Sequence, residues 1–296
     1  MKLTTSIQGI LIKTLGEATN SLYPIVTRLS KLPTLAQSAI RAITVSVAIL
    51  PFIITIPGVL SSLFSLPWLL IGAVNLTHIF SSFKGFAMMP TGPALSIFFT
   101  YPLMAVILST VMFGDTVSVE SWIGLVLGFG GVLLMNLYKP EQSTEHPTEQ
   151  LHITAEGVGW LLLSALTEAI MYLFVLYGSK LLDNPLISVF STNAWAAIAM
   201  IVYYVYQFTT NMPCSIIENP NESLKLVIAN LFIGIGGMGM MFASARMLPP
   251  GVFSVLSFLG VVFGFIYGIG LGDALYMKDV VGSILVVIGS IIGGRQ

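Results

Sequence analysis

Residues 90–115 read PTGPALSIFFTYPLMAVILSTVMFGD, and residues 249–273 read PPGVFSVLSFLGVVFGFIYGIGLGD. Each opens on proline and glycine, runs on without a charge, and stops at a Gly-Asp pair, Gly114-Asp115 in one and Gly272-Asp273 in the other. A helix needs about 20 mostly apolar residues to cross the hydrocarbon core of a bilayer. Water solvates charge, so a run that avoids charge for this long expects lipid. The two stretches read as one membrane-spanning element present twice.

Working outward, the match continues. Pro90 and Pro249 stand 159 residues apart, whereas Gly114 and Gly272, Gly124 and Gly282, and Gly131 and Gly289 stand 158 apart. Near the start, Glu17-Ala18 has a counterpart in Glu168-Ala169 and Pro33 in Pro185, at offsets of 151 and 152. Landmarks repeated in one order mark an internal duplication. Apolar stretches fall near 5–27, 35–56, 66–84, 93–113, 119–138, 157–178, 185–208, 223–247, 251–271 and 278–293, separated by turn chemistry such as Ile56-Pro57-Gly58 and Asp183-Asn184-Pro185. Backbone groups in lipid have no water to bond, so runs of this length are helices. The polar stretch 139–156, KPEQSTEHPTEQLHITAE, divides the chain near its middle and reads as a solvated linker, with His146 and His152 exposed on it. The fold expected is an all-α polytopic membrane protein of ten transmembrane helices, arranged as two five-helix repeats, 1–138 and 157–296. Five is odd, so the second repeat enters the membrane inverted relative to the first. Many secondary transporters have this construction, with two pseudo-symmetric packings opening a central site to opposite sides.

Composition agrees. Of 296 residues, 55% are hydrophobic and 8% charged, against about 25% charged in a soluble domain. The net charge of -1 gives no basic surface for nucleic acid. A single cysteine, Cys214, excludes a disulfide framework within the chain and offers no metal-ligand cluster; no cofactor is implied. The first apolar stretch is interrupted by Lys13 and Glu17 and has no small-residue cleavage pattern, unlike a cleaved signal peptide. Asn221-Glu222-Ser223 fits a glycosylation sequon, a weak pattern. Gly124, Gly128 and Gly131 lie near one face of the fifth apolar stretch and Gly282 and Gly289 on the tenth, so these two are the expected seam between halves.

Several motifs carry a family resemblance. Pro90-Thr91-Gly92, Ile97, Phe113-Gly114-Asp115, Ile123-Gly124 and the run Gly131-Val132-Leu133-Leu134-Met135-Asn136-Leu137 resemble the end of a small multidrug resistance subunit. The whole chain, with its repeat and with Arg41 early in the second stretch, resembles EamA-type members of the drug/metabolite transporter superfamily. That resemblance implies a transporter rather than an enzyme. It implies a bacterial cytoplasmic (inner) membrane with both termini cytoplasmic, a monomer or homodimer, and a solute from the range of amino acids, nucleotide-linked metabolites, choline-like cations and drugs. The small multidrug resistance proteins have a tryptophan six residues after the glycine of their PTG motif. Here Phe98 and Ser257 stand in its place.

A charge at the bilayer centre costs about 2.5–3.5 kcal/mol on insertion scales, so intramembrane charges tend to be paired, water-facing and functional. Glu17 and Glu168 sit near the middles of the first and sixth stretches, at matching positions of the repeat. A carboxylate in a low-dielectric cavity can alternate between neutral and charged, which coupling to a proton requires. On the first helix Lys13, Glu17, Asn20 and Pro24 share a face; on the sixth, Ser164, Glu168 and Tyr172 do. Two readings stand for Glu17: a coupling group, or an internal ion pair with Lys13. Glu168 has no basic residue within a turn. The small multidrug resistance resemblance implies a functional first-helix glutamate, carried over to Glu17 and Glu168.

The expected substrate cavity adds Gln37 and Arg41 on one face of the second helix, Asn193 as the repeat counterpart of Arg41, Asn75 and His78 on the third helix, and Tyr172 and Trp195 as rings able to stack on an organic solute. Arg41 fits either a clamp on a carboxylate or phosphate or a counter-ion for a glutamate. Lys84 is expected at a helix end with its ammonium at the interface. Loop charge does not orient the chain. With the N-terminus inside, Lys2, Lys180, Arg246 and Arg295 face Arg28, Lys31, Lys84, Lys139 and Lys278. The function expected is secondary active transport of a small polar metabolite, an amino acid or organic amine or cation-like solute, coupled to protons. Two rivals remain. An intramembrane aspartyl protease would use Gly270-Leu271-Gly272-Asp273 but needs a second mid-span aspartate, and a passive channel needs a continuous polar lining.

Overall fold

Proline and glycine punctuate the chain where its helices end. In the computed structural model, which describes residues 2–88, 91–136, 154–270 and 276–294, the chain forms helices joined by short turns, and no strand occurs among the described residues. The first apolar stretch gives two helices, α1 (Lys2–Asn20) and α2 (Tyr23–Leu29). Pro24 takes an early position of α2, where its missing N–H costs nothing but continuation of α1 would fail. There follow α3 (Thr34–Ile53), α4 (Val59–Leu63), α5 (Leu66–Met88), α6 (Thr91–Phe98), α7 (Tyr101–Phe113) and α8 (Val119–Asn136). The second half supplies α9 (Ala155–Tyr177), α10 (Pro185–Thr209), α11 (Ser215–Glu218), α12 (Pro220–Asn230), α13 (Met238–Met247), α14 (Pro250–Ser257), α15 (Leu259–Gly270) and α16 (Met277–Gly293). A 3-10 turn, Lys180–Asp183, precedes α10, and a π-helical stretch, Leu231–Gly237, joins α12 to α13. Gly58 (φ 87°) and Gly114 (φ 72°) take left-handed turns at α4 and after α7 that a side chain would strain.

All ten apolar stretches contain helix. Seven helices among the described residues are long and apolar enough to cross a membrane: Thr34–Ile53, Leu66–Phe86, Ala94–Phe113, Ala155–Tyr177, Pro185–Thr209, Pro220–Met247 and Pro250–Gly270. The other three stretches fall short for different reasons. Lys13, Glu17 and the break before α2 interrupt the first. The fifth is apolar over Val119–Met135, and α16 counts 17 residues. The chain is thus an integral membrane protein by the length and apolar character of its helices. Helix α9 begins at Ala155, two residues ahead of the expected boundary. Most of the linker, with His146 and His152, lies outside the described residues, as do Met89-Pro90, Leu271 to Asp273 and Arg295.

The chain forms two compact units, each drawing on both sequence halves: Met1–Phe80 with Ile170–Leu248, and Ser81–Ala169 with Pro249–Gln296. In the first unit α3 packs on α10 and α12, while α1 lies along α13 and the π-helical stretch. Leu32, Ala36, Ile40 and Leu226 are buried together where α3 meets α12. Trp195 of α10 packs over Gly72 of α5 and donates to the Leu63 carbonyl at 2.8 Å.

In the second unit α8 and α16 pair closely, and α14 packs on both and on α7. A Cβ added at Gly124 would lie 2.6 Å from the Gly289 carbonyl oxygen, and one at Gly289 would lie 2.7 Å from that of Gly124. Gly131 and Gly282 repeat the relation at 2.5 and 2.6 Å. Gly124 therefore faces Gly289 and Gly131 faces Gly282, so the helices run antiparallel. Gly124 and Gly131 are also the sequence counterparts of Gly282 and Gly289, so each contact maps onto the other. That reciprocity is what a local two-fold relation between the two helices produces.

Candidate functional site

The buried charge of the first unit gathers around α1. Lys13 and Glu17 are one turn apart, and Lys13 Nζ lies 2.7 Å from Glu17 Oε1. Lys13 is fully buried and Glu17 4% exposed. The ammonium also reaches the Met241 thioether of α13 at 3.4 Å and stands 5.5 Å from the centre of the Tyr172 ring. Two ions taken from water each carry a desolvation cost of several kcal/mol, offset only by close mutual contact and further polar partners. The thioether and the ring face are partners of this kind, but weak ones. Tyr172 is itself held by Phe242, edge to face, with centroids 5.9 Å apart.

Arg41 is the second cation of this unit. Its guanidinium sits over the Tyr23 ring, 4.7 Å from the centroid, and donates through Nη2 to Met238 Sδ at 3.3 Å. Nε is buried with no hydrogen-bond partner, and among the described residues no carboxylate pairs with this side chain. Met238 and Met241 lie three apart on α13, so one helix face presents a thioether to the half-buried Arg41 and to the buried Lys13. Asn20, half-buried, lies against the π-helical stretch, where its amide oxygen fills the place a Cβ on Gly237 would need. A π turn brings one extra residue into a helix and often marks a functional segment.

The remaining expected residues have other partners. Gln37 donates to the Leu32 carbonyl at 2.8 Å and ties down the entry to α3. Asn75 donates to the Thr192 carbonyl at 2.7 Å and meets Asn193 Oδ1 at 3.4 Å, a polar clasp between α5 and α10. Asn193 donates in turn to the Val189 carbonyl at 2.8 Å and to Thr192 Oγ1 at 3.1 Å. Its repeat counterpart is the cation Arg41, so the two halves have diverged at this position. His78 is buried on α5. Trp195 holds Leu63 as described and meets Phe64 edge to face at 5.9 Å. Glu168 belongs to the second unit, half-buried on α9, one turn before Tyr172 on the same helix. Lys84, also of the second unit, reaches Glu156 at 3.0 Å and stands 4.7 Å from the Trp160 ring, with its side chain 40% exposed, as expected of a helix-end cation.

The structure thus brings Lys13, Glu17 and Tyr172 together, and it adds three residues that sequence reasoning missed. Tyr23, Met238 and Met241 read as apolar membrane residues; only the three-residue spacing of the methionines hinted at a shared face. Among the described residues no group of three or more His, Cys, Asp or Glu side chains stands ready to hold a metal.

Residues 7–137 match the EamA-like transporter family. One solved crystal structure superposes on this chain with a TM-score of 0.71 at 14% identity, covering 96% of each chain, a likeness of fold. No curated protein matches the sequence. The chain is a helical membrane protein with charge buried among its helices, and through residues 7–137 it is similar to the EamA-like transporter family.

Proposed function

We propose that the protein is a secondary active transporter that moves a small polar metabolite, an amino acid or an organic amine or cation-like solute, by alternating access coupled to protons. The observation that carries this reading is the buried ion pair of Lys13 and Glu17, with the half-buried Arg41 reaching the same helix α13, in a unit of apolar membrane helices. A membrane scaffold gains nothing from such charge, whereas a solute pathway needs it. The reciprocal glycine contacts of α8 and α16 support the inverted repeat, because antiparallel counterparts are what a two-fold axis in the membrane plane would generate. On this reading α1 with α2, α8 and α16 complete ten crossings, residues 1–138 and 157–296 are the two repeats, and both termini are cytoplasmic in a bacterial inner membrane. The protein acts as a monomer or homodimer.

Glu17 and Glu168 are the proton-carrying pair. Glu17 already has Lys13 at 2.7 Å, so its protonation would leave a buried cation in need of another partner. Glu168 stands at the matching position of the repeat, half-buried on α9. Proteoliposomes with an imposed proton gradient test this. Glu168→Gln is expected to abolish gradient-driven accumulation while leaving solute exchange at equal pH. Accumulation equal to wild type across pH would remove Glu168 from the coupling.

A further inference from the structure

We infer that Arg41 forms an anion-binding subsite, so that the solute carries a carboxylate or phosphate; this rests on the transport reading above and narrows it. The argument begins with charge. Lys13 and Glu17 cancel at 2.7 Å. Arg41, half-buried with a buried Nε, then stands with no carboxylate among the described residues to neutralise it. Its present partners are a thioether, Met238 Sδ at 3.3 Å, and Tyr23, through both its ring face and its hydroxyl. Sulfur of this type is a weak acceptor, and Nε donates to nothing. A guanidinium presents a rigid fork of donors that matches a carboxylate or phosphate oxygen pair. Such an anion would take Nη2 from Met238, satisfy Nε, and leave the ring contact in place. Methionine is flexible enough to give way without disturbing the helix.

The geometry also sets the other end of the solute. Met238 and Met241 adjoin on α13, and Met241 leads to Lys13, the Tyr172 ring and Glu17. A solute anchored by its anion at Arg41 therefore extends toward an aromatic face and an ion pair that is neutral overall, which suits a polar group without net charge. The repeat counterpart, Asn193, is consumed in the clasp with Asn75, so the subsite exists in one half only.

Thermal unfolding of the full chain, in detergent and in nanodiscs of phosphatidylcholine alone, gives the test without relying on a mutant. Succinate and glycerol 3-phosphate are compared with dimethyl succinate and glycerol. At least one of the acids is expected to raise Tm by several degrees, and its uncharged partner to leave Tm unmoved. Arg41→Gln should then weaken the apparent affinity for that acid by roughly tenfold or more, with Arg41→Lys in between and Met238→Leu binding at least as well as wild type. Equal shifts from acids and their uncharged partners would overturn the inference, as would unchanged affinity in Arg41→Gln. If phosphatidylglycerol added to the disc shifts Tm while no soluble acid does, the anion is a lipid headgroup and the solute subsite is refuted. Proton-driven transport of a solute without an acid group would also sink this inference while leaving the transport reading intact.

Discussion

At Lys13 and Glu17 the two charges neutralise each other out of reach of water, so a substitution's effect depends on whether one partner is removed or both. Lys13→Met alone removes the cation that lies 2.7 Å from the buried Glu17 carboxylate. A lone buried charge left this way costs about 3–5 kcal/mol, and the detergent-purified variant should unfold at a clearly lower temperature. The double substitution Lys13→Met, Glu17→Leu removes both costs and should recover most of that stability, yet transport should stay lost. If the single and double variants unfold alike, the pair is not coupled in the folded chain. Arg41 behaves differently. Its partners are a thioether and a tyrosine, so removing it strands no acid among the described residues, and Arg41→Gln should fold with little loss.

Among the elements, the pairing of α8 with α16 was the most legible from sequence. Gly124 and Gly131 against Gly282 and Gly289 gave both the duplication and the seam, because a glycine contact depends on spacing alone. Gly131→Ala or Gly282→Ala places a methyl group within 2.5 or 2.6 Å of a backbone carbonyl that has nowhere to retreat. A loss of about 1–3 kcal/mol is expected from such overpacking. Gly130, on the same helix but with nothing within 4 Å of an added Cβ, provides the control: Gly130→Ala should be neutral or slightly stabilising. Equal losses at Gly130 and Gly131 in thermal unfolding would contradict the seam. The break between α1 and α2 and the π-helical stretch Leu231–Gly237 were not legible in the same way. Both depend on how α1 lies along α13, a tertiary matter that hydropathy does not register. The same holds for the candidate site. Lys13 and Glu17 announced themselves by their charge, whereas Tyr23, Met238 and Met241 matter through what they touch. Residues such as Gln37 and Trp195 looked like cavity lining and turn out to be bonded to the carbonyls of Leu32 and Leu63.

For the molecule as a whole, the number of crossings decides where the ends lie. Ten crossings put both termini on one side and the linker 139–156 on the other; seven would separate the termini. Reporter fusions at the N-terminus, within 139–156 and at the C-terminus should give like, opposite and like signals, and unlike signals from the two ends would rule out the inverted repeat. The glycine seam adds a mechanical constraint to any such arrangement. Helices separated by leucine or phenylalanine side chains can shear by small steps, each absorbed by a rotamer change. Where glycine rests on a carbonyl oxygen there is no rotamer to change, and a slip of one residue would drive Leu125 or Val132 into the backbone opposite. The register of α8 and α16 is thus all or nothing, and in the alternating-access cycle proposed above the pair would travel as one rivet. In that proposed cycle, bending would be taken up where helices are already interrupted, at Ser21-Leu22, Phe99-Thr100 and Phe258.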